Sequence, residues 1–154
     1  MTTNPAKPTR SVTPPVPAGD YTVARRAAEL VFISGMTPKD GTTLLATGRL
    51  GEQISIEEGR SLAAVAASRA LTAATAVAEQ AGTTLHSVVS MTVYVAVAAD
   101  FTRISEVADG ASATLVKAFG RESLPTRTAV GVATLPGGAP VEIQLIATIA
   151  SPAA

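Results

Sequence analysis

The chain has 154 residues, enough for one domain with a sizeable core, since roughly two thirds of such a chain's unfolded surface can leave water on folding. Twelve basic residues balance twelve acidic ones, which argues against the electrostatic grip on phosphates that nucleic-acid binders need. With no cysteine and a single histidine, disulfide frameworks, thiolate nucleophiles and multi-histidine metal cages are excluded.

Residues 1–17 contain Pro5, Pro8, Pro14, Pro15 and Pro17 and read as an extended arm, with a single domain over 18–151. The N-terminus has no apolar signal-peptide core and no run of about 18 strongly apolar residues reads as a membrane span, so the expected setting is cytoplasmic, with no membrane partner. Alternation near Tyr21 to Arg25 predicts a first strand, the apolar run Leu30 to Ile33 a second, and Leu44 to Thr47 a short third. Arg25 and Arg26 read as solvated surface.

In "GEQISIEEGR", Ser55 with Glu58 three residues on forms a capping box, so a helix should start at Ile56. Leu62, Val65, Ala66, Ala70, Ala73 and Val77 then recur at helical spacing, with Gly82 as the stop, and the many alanines let the helix lie close on a sheet. "VVSMTVYVAV" alternates strictly, placing Val89, Met91, Val93, Val95 and Val97 on one face and Tyr94 on the other. His86, in the loop before it, reads as a hydrated surface residue. Asp100 can cap a second helix that runs to Gly120, with Asp109-Gly110 expected to kink or split it.

Two last strands, Arg127 to Ala133 and Val141 to Ile149, are joined by "LPGGAP", in which Gly137-Gly138 reads as a tight turn. The order predicts an α+β domain with both helices on one face of a mixed sheet. The second face would leave mixed apolar surface exposed, which favours a closed homo-oligomer.

Each of these last strands carries one formal charge. Arg127, at a strand start, presents a planar fork suited to a carboxylate, the alternative being a solvated strand-end arginine. Glu142 lies between Val141 and Ile143, one residue inside its strand, the alternative being a carboxylate exposed on the less apolar face. Within one subunit the two should stand about 17 Å apart, too far to share a small ligand, whereas an oligomer can bring Arg127 of one chain to Glu142 of the next.

"PTRTAVGVATLP" followed by "VEIQLIA" resembles the C-terminal signature of the Rid family of reactive-intermediate deaminases, which hydrolyse imines and enamines. "AGDYTVARRAAELVFISGMTP" is similar to the family's N-terminal block, and "VADGAS" with "RTAVGVA" looks like a longer, less characterised branch. The resemblance implies a chorismate-mutase-like fold, a homotrimer, and sites in the clefts between subunits. It also implies cofactor-free and metal-free hydrolysis of small 2-imino or 2-enamino acids to 2-keto acids and ammonia. In that reading Arg127 holds the substrate carboxylate and Glu142 positions or activates the water. Tyr21, Ser34, Gly35 and Ala129 line the substrate site. Met36, Ala129 and Ser105 depart from the family's Gln, Cys and Asn, so the resemblance leaves two alternatives: a small-carboxylate binding protein without turnover, and a pathway-specific enzyme acting on a larger enamine-type substrate.

Overall fold

A computed structural model describes residues 13–151, so residues 1–12 of the expected arm lie outside the described residues. The rest of the arm, 13–17, carries no regular secondary structure. Seven strands and two helices follow: β1 (Ala24–Ala27), β2 (Leu30–Met36), β3 (Lys39–Asp40), β4 (Thr43–Leu44), α1 (Ile56–Gln80), β5 (Leu85–Ala96), α2 (Ile104–Phe119), β6 (Thr126–Val132) and β7 (Val141–Ile149). Five strands form one sheet in the order β1-β2-β7-β5-β6, and β3 and β4 make a separate small hairpin.

Only β5 and β6 are parallel; the other neighbours in the sheet are antiparallel. A parallel neighbour needs a crossover, and α2 supplies it between β5 and β6. That crossover carries β6 to the far edge, so β6 and β7 are consecutive in the chain yet lie on either side of β5.

One sheet face is covered. Val31, Ile33, Met91, Val93, Val95, Ile143 and Leu145 are buried there against the alanines of α1. Ala63, Ala66, Ala67, Ala70 and Ala74 are fully enclosed, because a methyl-sized side chain brings the helix axis close to the strands. The other face keeps Leu30 and Phe32 exposed, with Phe32 at 44% of its full surface.

The capping box is present in both directions, with the Glu58 N–H donating to Ser55 Oγ at 3.2 Å and the Ser55 N–H to Glu58 Oε2 at 2.9 Å. Helix α1 ends where Gly82 turns to φ +68° and the Thr83 N–H reaches back to the Ala78 carbonyl. An 18-residue window of this helix has mean hydropathy 1.4, so by length and composition alone it passes for a membrane span; its alanine face instead forms the domain core.

The structure revises several boundaries. The first strand is Ala24–Ala27 rather than Tyr21 to Arg25, because the β1–β2 hairpin closes over Ala28, at φ +54°, and pairs Ala27 with Leu30. The expected short third strand is replaced by the Lys39–Asp40 and Thr43–Leu44 hairpin. Asp100 does not cap α2; the helix starts at Ile104, where Arg103 pairs with Glu106 instead. Asp109-Gly110 neither kinks nor splits the helix. Gly110 is where α2 crosses α1, so near the Arg60 backbone that an added Cβ would overlap it. In β5 a register shift between Val88 and Ser90 turns Val88 inward and leaves Val89 46% exposed, reversing the expected alternation there.

Candidate active site

The two lone charges sit on opposite faces of the sheet. Across β5, Arg127 is opposite Met91, whose side chain enters the core, whereas Glu142 is opposite Tyr94 on the uncovered face. From strand spacing and rise, two strands and three residues separate their backbones, about 14 Å. A single copy therefore does not bring them together.

Arg127 is the second residue of the edge strand β6, beneath α2, and its guanidinium is held by that helix. Nη1 donates to Asp109 Oδ1 at 2.8 Å and to Ser112 Oγ at 2.9 Å, while Nη2 donates to Ser105 Oγ at 2.7 Å. Three of the five N–H groups are thus used, leaving one on Nη2 and that of Nε without a partner among the described residues. The side chain keeps 22% of its surface, so the anion fork is already charge-paired but not sealed. This is neither the free clamp nor the plain solvated arginine of the sequence reading. Ser105, Asp109 and Ser112 stand at i, i+4 and i+7, one stripe of α2. That spacing was visible in the sequence; the partner it serves was not.

Ala129, two residues on, points the same way as Arg127 and packs against the core. Met36 is 5% exposed and turned into the core, so it adds nothing polar to a cleft.

On the uncovered face, Glu142 meets a bulge. Pairing of β2 with β7 shifts between Ile33 and Met36, placing Ser34 and Gly35 at the irregularity. Gly35 and Glu142 are in such close approach that a Cβ at residue 35 would collide with the Glu142 carboxylate. Burial raises the Glu142 pKa above the ordinary carboxyl value, because removing water penalises the charged form. Ser34 is fixed from both ends, its Oγ donating to the Thr22 carbonyl at 2.6 Å and its N–H to the Val23 carbonyl at 2.8 Å. Tyr94 and Gln144 flank Glu142 on this face, the phenol donating weakly to Gln144 Oε1 at 3.4 Å. Tyr21 is half exposed just before β1, its hydroxyl accepting the Ala18 N–H.

Five of the expected site residues thus fall into two groups on opposite faces of the sheet. Ser34, Gly35 and Glu142 share one; Arg127 and Ala129 share the other, joined by Ser105, Asp109 and Ser112. Among the described residues, no group of three or more His, Asp or Glu side chains is arranged to hold a metal.

A helix-backed mixed sheet of this kind has many structural counterparts. A protein of unknown function from Agrobacterium tumefaciens matches it with a TM-score of 0.80 at 26% identity, over 88% of this chain and 87% of that one. A RidA from a Psychrobacter species matches with a TM-score of 0.57, also at 26% identity, over 88% and 93%. The profile of the family described as Endoribonuclease L-PSP matches residues 12–149, and the chain belongs to that family, the Rid family of the sequence resemblance. Among its relatives are a RutC family protein of Pyrococcus abyssi, 31% identical over 86% of this chain and 89% of that protein, and Protein TCP17 of Trypanosoma cruzi, 33% identical over 84% and 81%. A 2-iminobutanoate/2-iminopropanoate deaminase of Dermatophagoides farinae is 29% identical over 88% and 90%.

Proposed function

We propose that the protein hydrolyses small 2-imino or 2-enamino acids to 2-keto acids and ammonia, in a cleft between subunits of a homotrimer. The observation that carries this reading is the half-buried Glu142 on an otherwise uncovered sheet face, pressed against Gly35, with its proton held above the ordinary carboxyl range. Membership of the family and the name of the mite relative support the same chemistry.

An imine carbon is already electrophilic, so catalysis needs a held substrate and a placed water. Arg127 of one subunit takes the substrate carboxylate through its unfilled N–H groups. Glu142 of the adjoining subunit holds the water and accepts its proton as the water oxygen adds to the C=N carbon. With the imine nitrogen protonated at the start, that proton returns to the nitrogen of the adduct, and ammonia leaves as Glu142 takes the new hydroxyl's proton and the carbonyl forms. The exposed Phe32 and Leu30 supply apolar contact for the subunit interface.

The test is keto acid release from freshly generated 2-iminobutyrate. Rates should rise with the protein and fall to the uncatalysed level in Arg127→Ala; equal rates with and without wild-type protein rule the substrate class out. Burial of Met36 in the core and the small side chain of Ala129 favour a second reading, a carboxylate-binding protein without turnover. Calorimetric binding of 2-ketobutyrate without imine hydrolysis would select it.

A further inference from the structure

Away from the sheet, α1 presents Ala64, Val65, Ser68, Arg69 and Thr72 on one face, and these residues form the floor of a cavity of about 790 Å³. The β3–β4 hairpin at 39–42 forms one wall and the proline-rich arm at 13–18 the other. Helix α1 stands between this cavity and the sheet.

The lining is apolar at one end and cationic at the other. Pro14, Pro15 and Pro17 have no N–H to offer, so the arm presents rings and carbonyls, and opposite it Ala64 and Val65 present methyl groups. At the hairpin end lie Arg69, Lys39 and Asp40, two cations against one anion.

Arg69 is incompletely satisfied. Its Nη1 donates to the Lys39 and Gly41 carbonyls, both at 3.3 Å, which ties the helix to the hairpin. Its Nε is buried with no acceptor, and Nη2 makes no hydrogen bond to a described residue. A buried donor without an acceptor costs free energy, and Nη2, which has no hydrogen bond to a described residue, is the charged donor left for a carboxylate.

We propose that this cavity is a binding site for an amphipathic monocarboxylate, with its head on Arg69 and its apolar body between Val65 and the proline arm. The volume lies within the range of small-molecule sites, roughly 300 to 1,000 Å³. A neutral ligand of the same shape leaves the Arg69 donors unfilled, so charge as well as size is selected. This site stands on its own, whatever reaction occurs at Glu142.

Octanoate and octanol, titrated into the full-length protein by calorimetry, provide the probe. Octanoate should bind at one site per chain and octanol about ten-fold more weakly or worse. Arg69→Gln should abolish that preference. Ala64→Phe, which fills the floor, should remove binding of both probes while the thermal midpoint holds. Arg127→Ala should bind octanoate as the wild type does. The proposal is overturned if octanoate shows no saturable binding, if octanol binds equally well, if Arg69→Gln keeps the preference, or if Arg127→Ala loses the site.

Discussion

Glu142 holds its proton to higher pH than a free carboxyl because the strand places it in a partly dehydrated spot. Below the ordinary carboxyl pKa, folded and unfolded chains are both protonated at this residue and no penalty exists. The penalty appears as pH rises through the unfolded value and is complete above the raised folded one. Glu142→Gln should therefore stabilise the protein in denaturant titrations at pH 7 and leave stability unchanged near pH 3, while abolishing turnover. An equal effect at both pH values would contradict the assignment. Asp109 makes the opposite kind of prediction. It neutralises the guanidinium proposed to take the substrate carboxylate, so Asp109→Asn should tighten 2-ketobutyrate binding about 3- to 10-fold by calorimetry. Weaker binding would mean that Asp109 aims Arg127 rather than competing for it. Arg127 and Glu142 were legible because each is the lone formal charge in an apolar strand. Asp109 was not, because Ser105, Asp109 and Ser112 look like any solvated helix stripe until β6 is laid beneath them.

Helix α1 was readable to the residue at its start, since Ser55 and Glu58 state the cap locally. Helix α2 was not, because its beginning rests on the Arg103–Glu106 pair and on tertiary packing rather than on a capping side chain. Gly110 shows the same limit. Its low helix propensity was visible, but its purpose, close passage over the Arg60 backbone, depends on a helix fifty residues earlier in the chain. Gly110→Ala should cost about 2 kcal/mol or more, because backbone must move to admit the methyl group. Thermal or denaturant unfolding will measure it, and a cost below about 0.5 kcal/mol would contradict so tight a crossing. The β5 bulge left no local mark at all: Val88 and Val89 are chemically identical, and only pairing with β7 decides which one turns inward.

The α+β class, with helices on one face, followed from element order and alternation. Strand order did not follow, because β6 and β7 are adjacent in sequence and the β5–α2–β6 crossover alone sends β6 to the edge. That same crossover sets Arg127 under α2 and on the face opposite Glu142, so one copy keeps the two charges apart. In the proposed trimer a second copy brings Arg127 and Glu142 into one cleft. The most direct measurement refolds Arg127→Ala and Glu142→Gln chains together and assays 2-iminobutyrate hydrolysis beside each variant alone and wild type. Each variant alone should be inactive, and an equal mixture should recover about a quarter of wild-type activity, since random assembly joins an intact Arg127 to an intact Glu142 at that fraction of interfaces. A mixture as inactive as its parts, beside an active wild type, would contradict the shared cleft.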